Sequence, residues 1–301
     1  MIVSASYKTD IPAFYAPWFS HRLKAGFCKM VNPYNQKITH ISLQPYDVQG
    51  FVFWSRNYQP FMDRNILEDI KRPFTCQMSV MNYPRQLDKA TIAASKAIEQ
   101  IHHLAARFGP RCVVWRYDPI VLSPLTPIKW HVENFAMLAA AIAPSVDEVI
   151  VSFMQLYRKT AKNFKTAGIE EIDVSVQTQQ NLLLQLHEIA STHGIKLTLC
   201  AQPELLITPI EASACIDVKR LEDFGGTALI VDRKPHRREC GCASSKDIGA
   251  YDSCPHGCLY CYAVENHSLA KNRFQRHDPH SPFLFEEAVT TEETTDQLSF
   301  F

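Results

Sequence analysis

The feature that most constrains this chain is a regular alternation of short apolar segments with helical patterns, which extends to about residue 232. The apolar segments are continuous rather than alternating with polar residues, as is typical of strands in a parallel sheet covered on both faces. They are residues 2–6, 50–54, 74–80, 112–117, 148–153, 196–201 and 228–232, with 214–216 as a weaker candidate. This number of βα units predicts an α/β fold, a TIM-like (β/α) barrel or an incomplete version of one. A doubly wound open sheet is the alternative.

Three helical patterns lie between these segments, at residues 88–108, 130–143 and 178–193, and Asp88 is the expected N-cap of the first. Residues 27–43 predict a hairpin insertion with its turn at 32–36. After residue 232 the chain becomes polar and rich in cysteine. We therefore expect a barrel-like domain at 1–232, a cysteine-rich segment at 233–276 that closes the barrel mouth, and a polar tail at 277–301.

Charge and hydropathy exclude several classes of protein. Lysine plus arginine and aspartate plus glutamate number 31 each, so no global field attracts nucleic acid or an anionic membrane. No apolar run approaches the ~18 residues of a membrane span, and the sequence shows no signal peptide, so we expect a cytoplasmic protein without a membrane partner. A basic run at residues 232–239 alone favours nucleic acid, and such a short run is usually a solvated linker.

Polar side chains follow nearly every predicted strand. In parallel α/β folds the carboxyl ends of the strands form the active site. Arg56 follows the second strand, and Arg116 and Asp118 leave the fourth in the sequence WRYDP. We expect these three residues to position a small polar substrate. The alternative for Arg116 and Asp118 is a structural salt bridge at the barrel rim.

Ten cysteines fall into two groups. Five are scattered in or beside apolar segments, where cysteine behaves as a small buried hydrophobe, and are expected to be inert: Cys28, Cys76, Cys112, Cys200 and Cys215. The other five lie within residues 240–261, and such clustering in a reducing compartment indicates metal rather than disulfides.

Cys254, Cys258 and Cys261 have the spacing C-x3-C-x2-C, with Gly257 and Tyr260 between them. Thiolates at such spacing suit a [4Fe–4S] cluster. Three ligands leave one iron open, and S-adenosylmethionine (SAM) can chelate that iron before reductive cleavage to a 5′-deoxyadenosyl radical. If the neighbouring Cys240 or Cys242 is a fourth ligand, SAM is blocked. Four thiolates from the two groups would also suit zinc.

Four motifs carry a resemblance to a known family: TDIPAFY, FWSRN, WRYDPI and CGCASSKDIGAYDSCPHGCLYCYA. Over residues 1 to about 266 the chain resembles the bacterial domain-of-unknown-function family numbered 1848. That family is described as having C-terminal cysteines similar to the radical SAM cluster motif, which implies Cys254, Cys258 and Cys261 as cluster ligands. Two features depart from radical SAM enzymes. The cysteines follow the last strand rather than the first, and Gly225–Gly226 is followed by Thr227 instead of glutamate.

The sequence therefore predicts an iron–sulfur protein, with radical SAM-like chemistry on a small polar substrate and a flavodoxin or ferredoxin as reductant. The alternative is a binding or electron-transfer protein stabilised by zinc or by an iron–sulfur cluster without SAM. Cys240 and Cys242 discriminate between the two hypotheses, because a fourth thiolate on the cluster leaves no open iron.

Overall fold

The computed structural model describes residues 1–31, 37–231 and 241–285. Its strands have the following bounds: β1 Ile2–Ala5, β2 Phe27–Val31, β3 Ile38–Ser42, β4 Gly50–Ser55, β5 Phe74–Ser79, β6 Val113–Ile120, β7 Glu148–Phe153, β8 Lys196–Leu199, β9 Glu211–Ala212 and β10 Ser245–Asp247. Eight of them form one sheet in the order β10-β1-β4-β5-β6-β7-β8-β9, and every neighbouring pair is parallel. Strands β2 and β3 form a separate antiparallel hairpin.

Helices occupy most of the connections between the strands. Their bounds are α1 Ile11–Phe14, α2 Ala16–Ala25, α3 Gln59–Met62, α4 Ile66–Asp69, α5 Ala94–Phe108, α6 Ile128–Ile142, α7 Arg158–Ala167, α8 Val176–Thr192, α9 Val218–Gly225 and α10 His267–Gln275. In the described part of the chain, none of these helices is both long and apolar enough to cross a membrane.

The prediction of an α/β fold with a mostly parallel sheet is confirmed, but a closed barrel is not formed. Strands β9 and β10 are the two edges of the sheet, and no ladder joins them within the described residues. One backbone hydrogen bond connects the segments beside these edges, from Ala243 N to Ile216 O at 3.1 Å. The strand order is that of a barrel opened between its last two strands.

The core lies on both faces of the sheet because most residues of its central strands are apolar and buried. On one side Phe19 packs edge-on against Phe51 and Phe53, with ring centroids 6.0 and 5.5 Å apart. Trp115 stacks on Phe135 of α6 at 4.8 Å. All five rings are at most 2% exposed. Continuous apolar strands buried on both faces are what the sequence pattern predicted.

Several predicted elements need correction. Residues 228–231 are not a strand, and the strand beside β1 is instead the polar β10. The weaker candidate at 214–216 lies just beyond β9. Asp88 does not cap a helix, since α5 begins at Ala94 and Asp88 is buried against Arg56. The hairpin is confirmed, while its predicted turn at 32–36 lies outside the described residues.

The start of the predicted tail packs against the hairpin side of the molecule. Lys29 N donates to Pro282 O at 2.8 Å, and Trp18 Nε1 donates to Ser281 O at 3.0 Å. Arg22 Nη2 donates to His280 O, also at 3.0 Å. The predicted boundary at 232 and the basic run 232–239 fall in residues 232–240, which lie outside the described residues, as does 286–301.

Candidate functional site

The cysteine loop, residues 248–266, joins β10 to α10 and is fixed to segments that follow the carboxyl ends of other strands. Leu259 N donates to Leu87 O at 2.9 Å, and Ala90 N donates to His256 O at the same distance. Gly257 adopts a φ of +72°, a left-handed conformation that glycine reaches without steric cost. The three cysteines of the motif are thereby held over the carboxyl edge of the sheet, where active sites of parallel α/β folds form.

The structure brings together the three cysteines of the predicted motif. Cys258 is 9% exposed, and Cys254 and Cys261 are half-buried at the residue level. Burial raises the pKa of all three thiols, and the charge of Cys261 raises the pKa of both Cys254 and Cys258 further. Ala263 N donates to Cys261 Sγ at 3.4 Å, and hydrogen bonds from the backbone lower the pKa of that thiol.

The donor set of the cysteine loop consists of thiols, the ligand type that iron–sulfur clusters take. Over residues 1–31, 37–231 and 241–285, no three histidine, cysteine, aspartate or glutamate side chains are arranged around a point that could hold one metal ion. In an iron–sulfur cubane each thiolate binds a different iron, so the three sulfurs need not converge. The loop supplies three thiols, and a backbone amide donates to one of them, Cys261 Sγ.

A buried ion pair between Arg56 and Asp88 contacts the cysteine loop. The guanidinium of Arg56 makes two hydrogen bonds to the Asp88 carboxylate, at 2.5 and 3.1 Å, and lies 3.7 Å from Cys258 Sγ. Tyr260 donates its hydroxyl proton to Asp88 and accepts from Arg56, both at 2.5 Å. Burial opposes the charge on Arg56, but Asp88, Tyr260 and Cys258 outweigh it and raise the pKa of the guanidinium.

A second buried carboxylate links the cysteine loop to β1 and β4. Asp10 accepts hydrogen bonds from Ser55 Oγ at 2.7 Å, from Arg56 N at 2.8 Å and from His256 Nε2 at 2.8 Å. Because a carboxylate only accepts, Nε2 of His256 carries the proton. His256 is 3% exposed, and its Nδ1 is a buried atom for which the described residues supply no hydrogen-bond partner.

Strand β10 pairs with β1 in a parallel backbone ladder, and the Asp247 carboxylate adds side-chain hydrogen bonds to the segment that contains β1. Asp247 accepts from Ser4 Oγ at 3.1 Å, from Ser6 Oγ at 2.8 Å and from Gly249 N at 2.9 Å. Lys8 Nζ lies 3.6 Å from the same carboxylate. A Cβ on Gly249 would lie 2.0 Å from Ser6 Oγ, so this close approach requires glycine.

A cavity of about 170 Å³ opens beside the ion pair of Arg56 and Asp88. Asn82, Tyr83 and Arg85 also line it, and Arg85 Nη1 donates to the backbone oxygen of Thr91. The lining combines two guanidinium groups with an amide, which suits a small polar or anionic molecule. The larger depression at Pro73 and Phe224 lies at the opposite, amino end of β5.

Arg116 and Asp118, the other predicted positioning residues, form a salt bridge and are 7% and 18% exposed as side chains. Arg116 Nη1 also donates to Gln77 Oε1 at 2.6 Å and to Cys215 Sγ at 3.2 Å, and Asp118 accepts from Ser152 Oγ. The salt bridge between Arg116 and Asp118, which the sequence analysis gave as the structural alternative, is therefore present. Their role toward a substrate stays a prediction.

A second group of cysteines, which sequence reasoning missed, surrounds Arg116. Cys200 Sγ lies 3.4 Å from Cys215 Sγ, and Cys242 Sγ accepts from Ile216 N at 3.4 Å. Hydrogen bonds from Cys200 and Cys242, together with Arg116, hold the pKa of the Cys215 thiol well below its usual value. The signal available in the sequence was the position of Cys200 near the carboxyl end of the predicted strand 196–201, and therefore near the functional edge.

Of the two cysteines left open by the sequence, Cys242 is thus placed beside Cys215, and Cys240 lies outside the described residues. Tyr262 follows Cys261 directly in the cysteine loop. Burial raises the pKa of its hydroxyl, and the charges of both Cys261 and Arg116 act on that pKa. Both groups therefore lie at the same edge of the sheet.

A family model matches residues 2–263, from the start of β1 to two residues beyond Cys261. The chain belongs to the family described as Domain of unknown function (DUF1848). No curated protein and no solved structure matches the chain. The DUF1848 match contains Cys254, Cys258 and Cys261, Arg56, Asp88 and the second group of cysteines.

Proposed function

We propose that this DUF1848 protein holds a [4Fe–4S] cluster on Cys254, Cys258 and Cys261 and acts as a radical SAM-like enzyme on a small polar substrate. The observation that carries the proposal is the placement of three thiols on one loop, with Cys258 beside Arg56, which lines a cavity together with Arg85. A cluster with three protein ligands supplies an open iron for SAM and the electron for its cleavage.

The chain's own residues would hold and tune such a cluster. Arg56 places a cation 3.7 Å from Cys258 Sγ, where it stabilises negative charge on the sulfur. The amide of Ala263 donates to Cys261 Sγ and has the same effect. Asp88 balances the charge of Arg56 and fixes its direction through two hydrogen bonds. Nδ1 of His256 is a buried polar atom without a hydrogen-bond partner among the described residues, and we propose it as a contact for the bound group.

The open iron is favoured by the position of Cys242. Its thiol lies with Cys215 and Ile216 rather than with the cysteine loop, which leaves that loop with three thiols among the described residues. The substrate would lie in the cavity beside Arg56, with Asn82 and Arg85 as further polar contacts. Arg116 and Asp118 would border the same edge and fix its shape.

Helix α7 is the surface that we propose for a flavodoxin or ferredoxin, as an acidic one-electron carrier. It carries Arg158, Lys159, Lys162 and Lys165 and no acidic residue between Arg158 and Ala167. The helix lies beside the cysteine loop, because Asn163 Nδ2 donates to Leu259 O at 3.5 Å and the charge of Lys159 lowers the pKa of Cys261. A carrier bound there would be close to the cluster, and charge complementarity would speed its encounter.

Charge reversal tests this surface. Lys162→Glu with Lys165→Glu should slow reduction by a ferredoxin at least tenfold at low salt and leave reduction by dithionite unchanged. The control is Lys96→Glu on α5, which reverses one lysine charge at a side chain 65% exposed and away from α7. Equal rates for all three proteins would refute the docking surface while leaving the cluster proposal untouched.

Iron and sulfide analysis of anaerobically purified protein tests the cluster itself. We expect about four irons and four sulfides per chain, as the composition of a [4Fe–4S] cluster requires. Cys258→Ser should lose most of both. Cys28→Ser, at a buried thiol of the hairpin, should lose neither. Zinc without sulfide would contradict the proposal and support a zinc-stabilised binding protein.

We further propose a cytoplasmic location, since an oxygen-sensitive cluster requires a reducing compartment.

A further inference from the structure

The Cys200–Cys215 pair is a cluster of thiols that the proposed cluster chemistry does not use. The two sulfurs are 3.4 Å apart, and a disulfide bond measures about 2.0 Å, so a small approach joins them. Both residues are half-buried, so neither is sealed in the core of the protein. The third thiol, Cys242, is 4% exposed.

The backbone presents these two sulfurs from a rigid frame. Cys200 N donates to Val151 O at 2.8 Å, which extends the ladder between β7 and β8 by one residue. Ser213 N donates to Leu199 O at 2.8 Å, which extends the pairing of β8 with β9 toward Cys215. Gln77 Nε2 also donates to the carbonyl of Cys215. Neighbouring strand ends thus hold the sulfurs in contact without a movement of the sheet.

A cation is directed at one sulfur of the pair. Arg116 Nη1 lies 3.2 Å from Cys215 Sγ and is itself fixed by Gln77 and Asp118. A guanidinium in this place stabilises the negative charge that develops on sulfur during thiol–disulfide exchange. The three sulfurs of this group are not arranged around a common point that could hold a metal ion, whereas the two in contact need only each other.

We propose that Cys200 and Cys215 are a redox-active dithiol that exchanges with low-molecular-weight disulfides. Two thiols and one small disulfide give the Cys200–Cys215 disulfide and two small thiols. One S–S bond is formed and one is broken, and the two protons and two electrons of the protein thiols pass to the small molecule. Oxidation also removes the Cys215 thiol group to which Arg116 donates. The redox state of the pair therefore changes the hydrogen bonds of Arg116, which lies at the edge proposed for the substrate.

The same chain contains a matched internal control. Cys76 and Cys112 are also close enough for a hydrogen bond between their side chains, but both are 0% exposed. Their pair lies on β5 and just before β6, where Cys76 has Tyr58 as a further partner. Cys200 and Cys215 differ from this control pair in two respects: they are partly exposed, and the Arg116 guanidinium lies beside one of their sulfurs.

The test uses the full chain, prepared anaerobically, treated with oxidised glutathione and then alkylated in denaturant. A glutamate-specific protease separates the two cysteines, because Glu204 and Glu211 lie between them. Mass spectrometry should find these two peptides joined, with two fewer free thiols per chain, and Cys76 and Cys112 still alkylated. Cys200→Ser and Cys215→Ser should each abolish the joined peptide, with circular dichroism confirming that both variants fold.

Three results would overturn the proposal: full alkylation of Cys200 and Cys215 after treatment, a bond from Cys215 to Cys242 instead, or zinc that shields the three thiols at one ion per chain. Iron and sulfide are measured on the same samples. A joined peptide in protein that holds no cluster would refute the proposed cluster and leave the dithiol standing.

Discussion

Removing the charge of Asp88 is expected to destabilise the protein strongly, because Arg56 would remain buried without an anion. The Asp88 side chain is 1% exposed and that of Arg56 is 13% exposed, so solvent screens the pair little. Breaking a buried ion pair by removal of one partner costs about 3–5 kcal/mol. Asp88→Asn keeps one oxygen that can accept a hydrogen bond from Arg56 or Tyr260. We therefore expect a loss of stability near the lower end of this range, about 3 kcal/mol.

Urea unfolding of the metal-free chain, followed by tryptophan fluorescence, measures this loss as a lower free energy of unfolding. The matched control is Glu99→Gln on α5, where the pair with Lys96 has side chains 62% and 65% exposed. An exposed pair contributes about 0–1 kcal/mol, so this variant should unfold almost as the wild type does.

A double variant separates burial of charge from loss of packing. Arg56→Met with Asp88→Leu removes both charges and keeps apolar volume, and replacement of a whole buried pair is often neutral. We expect it to be more stable than Asp88→Asn. The reasoning is refuted if Asp88→Asn costs less than about 1 kcal/mol, the range of an exposed pair, or if the double variant is the less stable of the two.

Two further predictions concern the cysteine loop and a buried histidine. Gly257→Ala places a Cβ 3.2 Å from Lys89 Cβ at a φ of +72°, whereas Gly194→Ala, at +69°, has open space. Both variants should lose about 1–2 kcal/mol of stability through backbone strain. Only Gly257→Ala should also lose iron faster than the wild type does. Equal iron retention in the two variants would contradict this prediction. Burial lowers the pKa of His131 to about 4 from 6.5. Between pH 6.5 and pH 4 the unfolded chain therefore binds more protons at His131 than the folded chain does. The free energy of unfolding should fall by about 3 kcal/mol as the pH is lowered from 6.5 to 4. Urea titrations at several pH values should show that His131→Gln removes this part of the pH dependence.

The sequence predicted the strands whose burial determines their composition. The segments at 50–54, 74–80 and 148–153 became β4, β5 and β7 with bounds that agree within a residue or so. Their continuous apolar residues are a direct consequence of coverage on both faces. The same reasoning failed at β10, whose residues Ser245–Asp247 pair with β1 through a polar network that has no apolar pattern to reveal it.

The three cysteines of the candidate site could be singled out from the sequence, and their surroundings only in part. The spacing of Cys254, Cys258 and Cys261 is a local property, so a motif sufficed to find them. The partner of Arg56 is 32 residues away, and Asp88 was instead interpreted as a helix cap because aspartate often begins helices. Cys200 and Cys215 meet only through the pairing of β8 with β9. Their apolar neighbours in the sequence suggested inert thiols.

The most direct test of the proposed function is the EPR spectrum of the reduced protein, recorded before and after addition of SAM. We predict a [4Fe–4S] signal that changes when SAM is added and that is absent from Cys258→Ser. A signal that SAM leaves unchanged would contradict the open iron and point to electron transfer or a structural role. No iron–sulfur signal, with zinc bound in its place, would contradict the proposed cluster altogether.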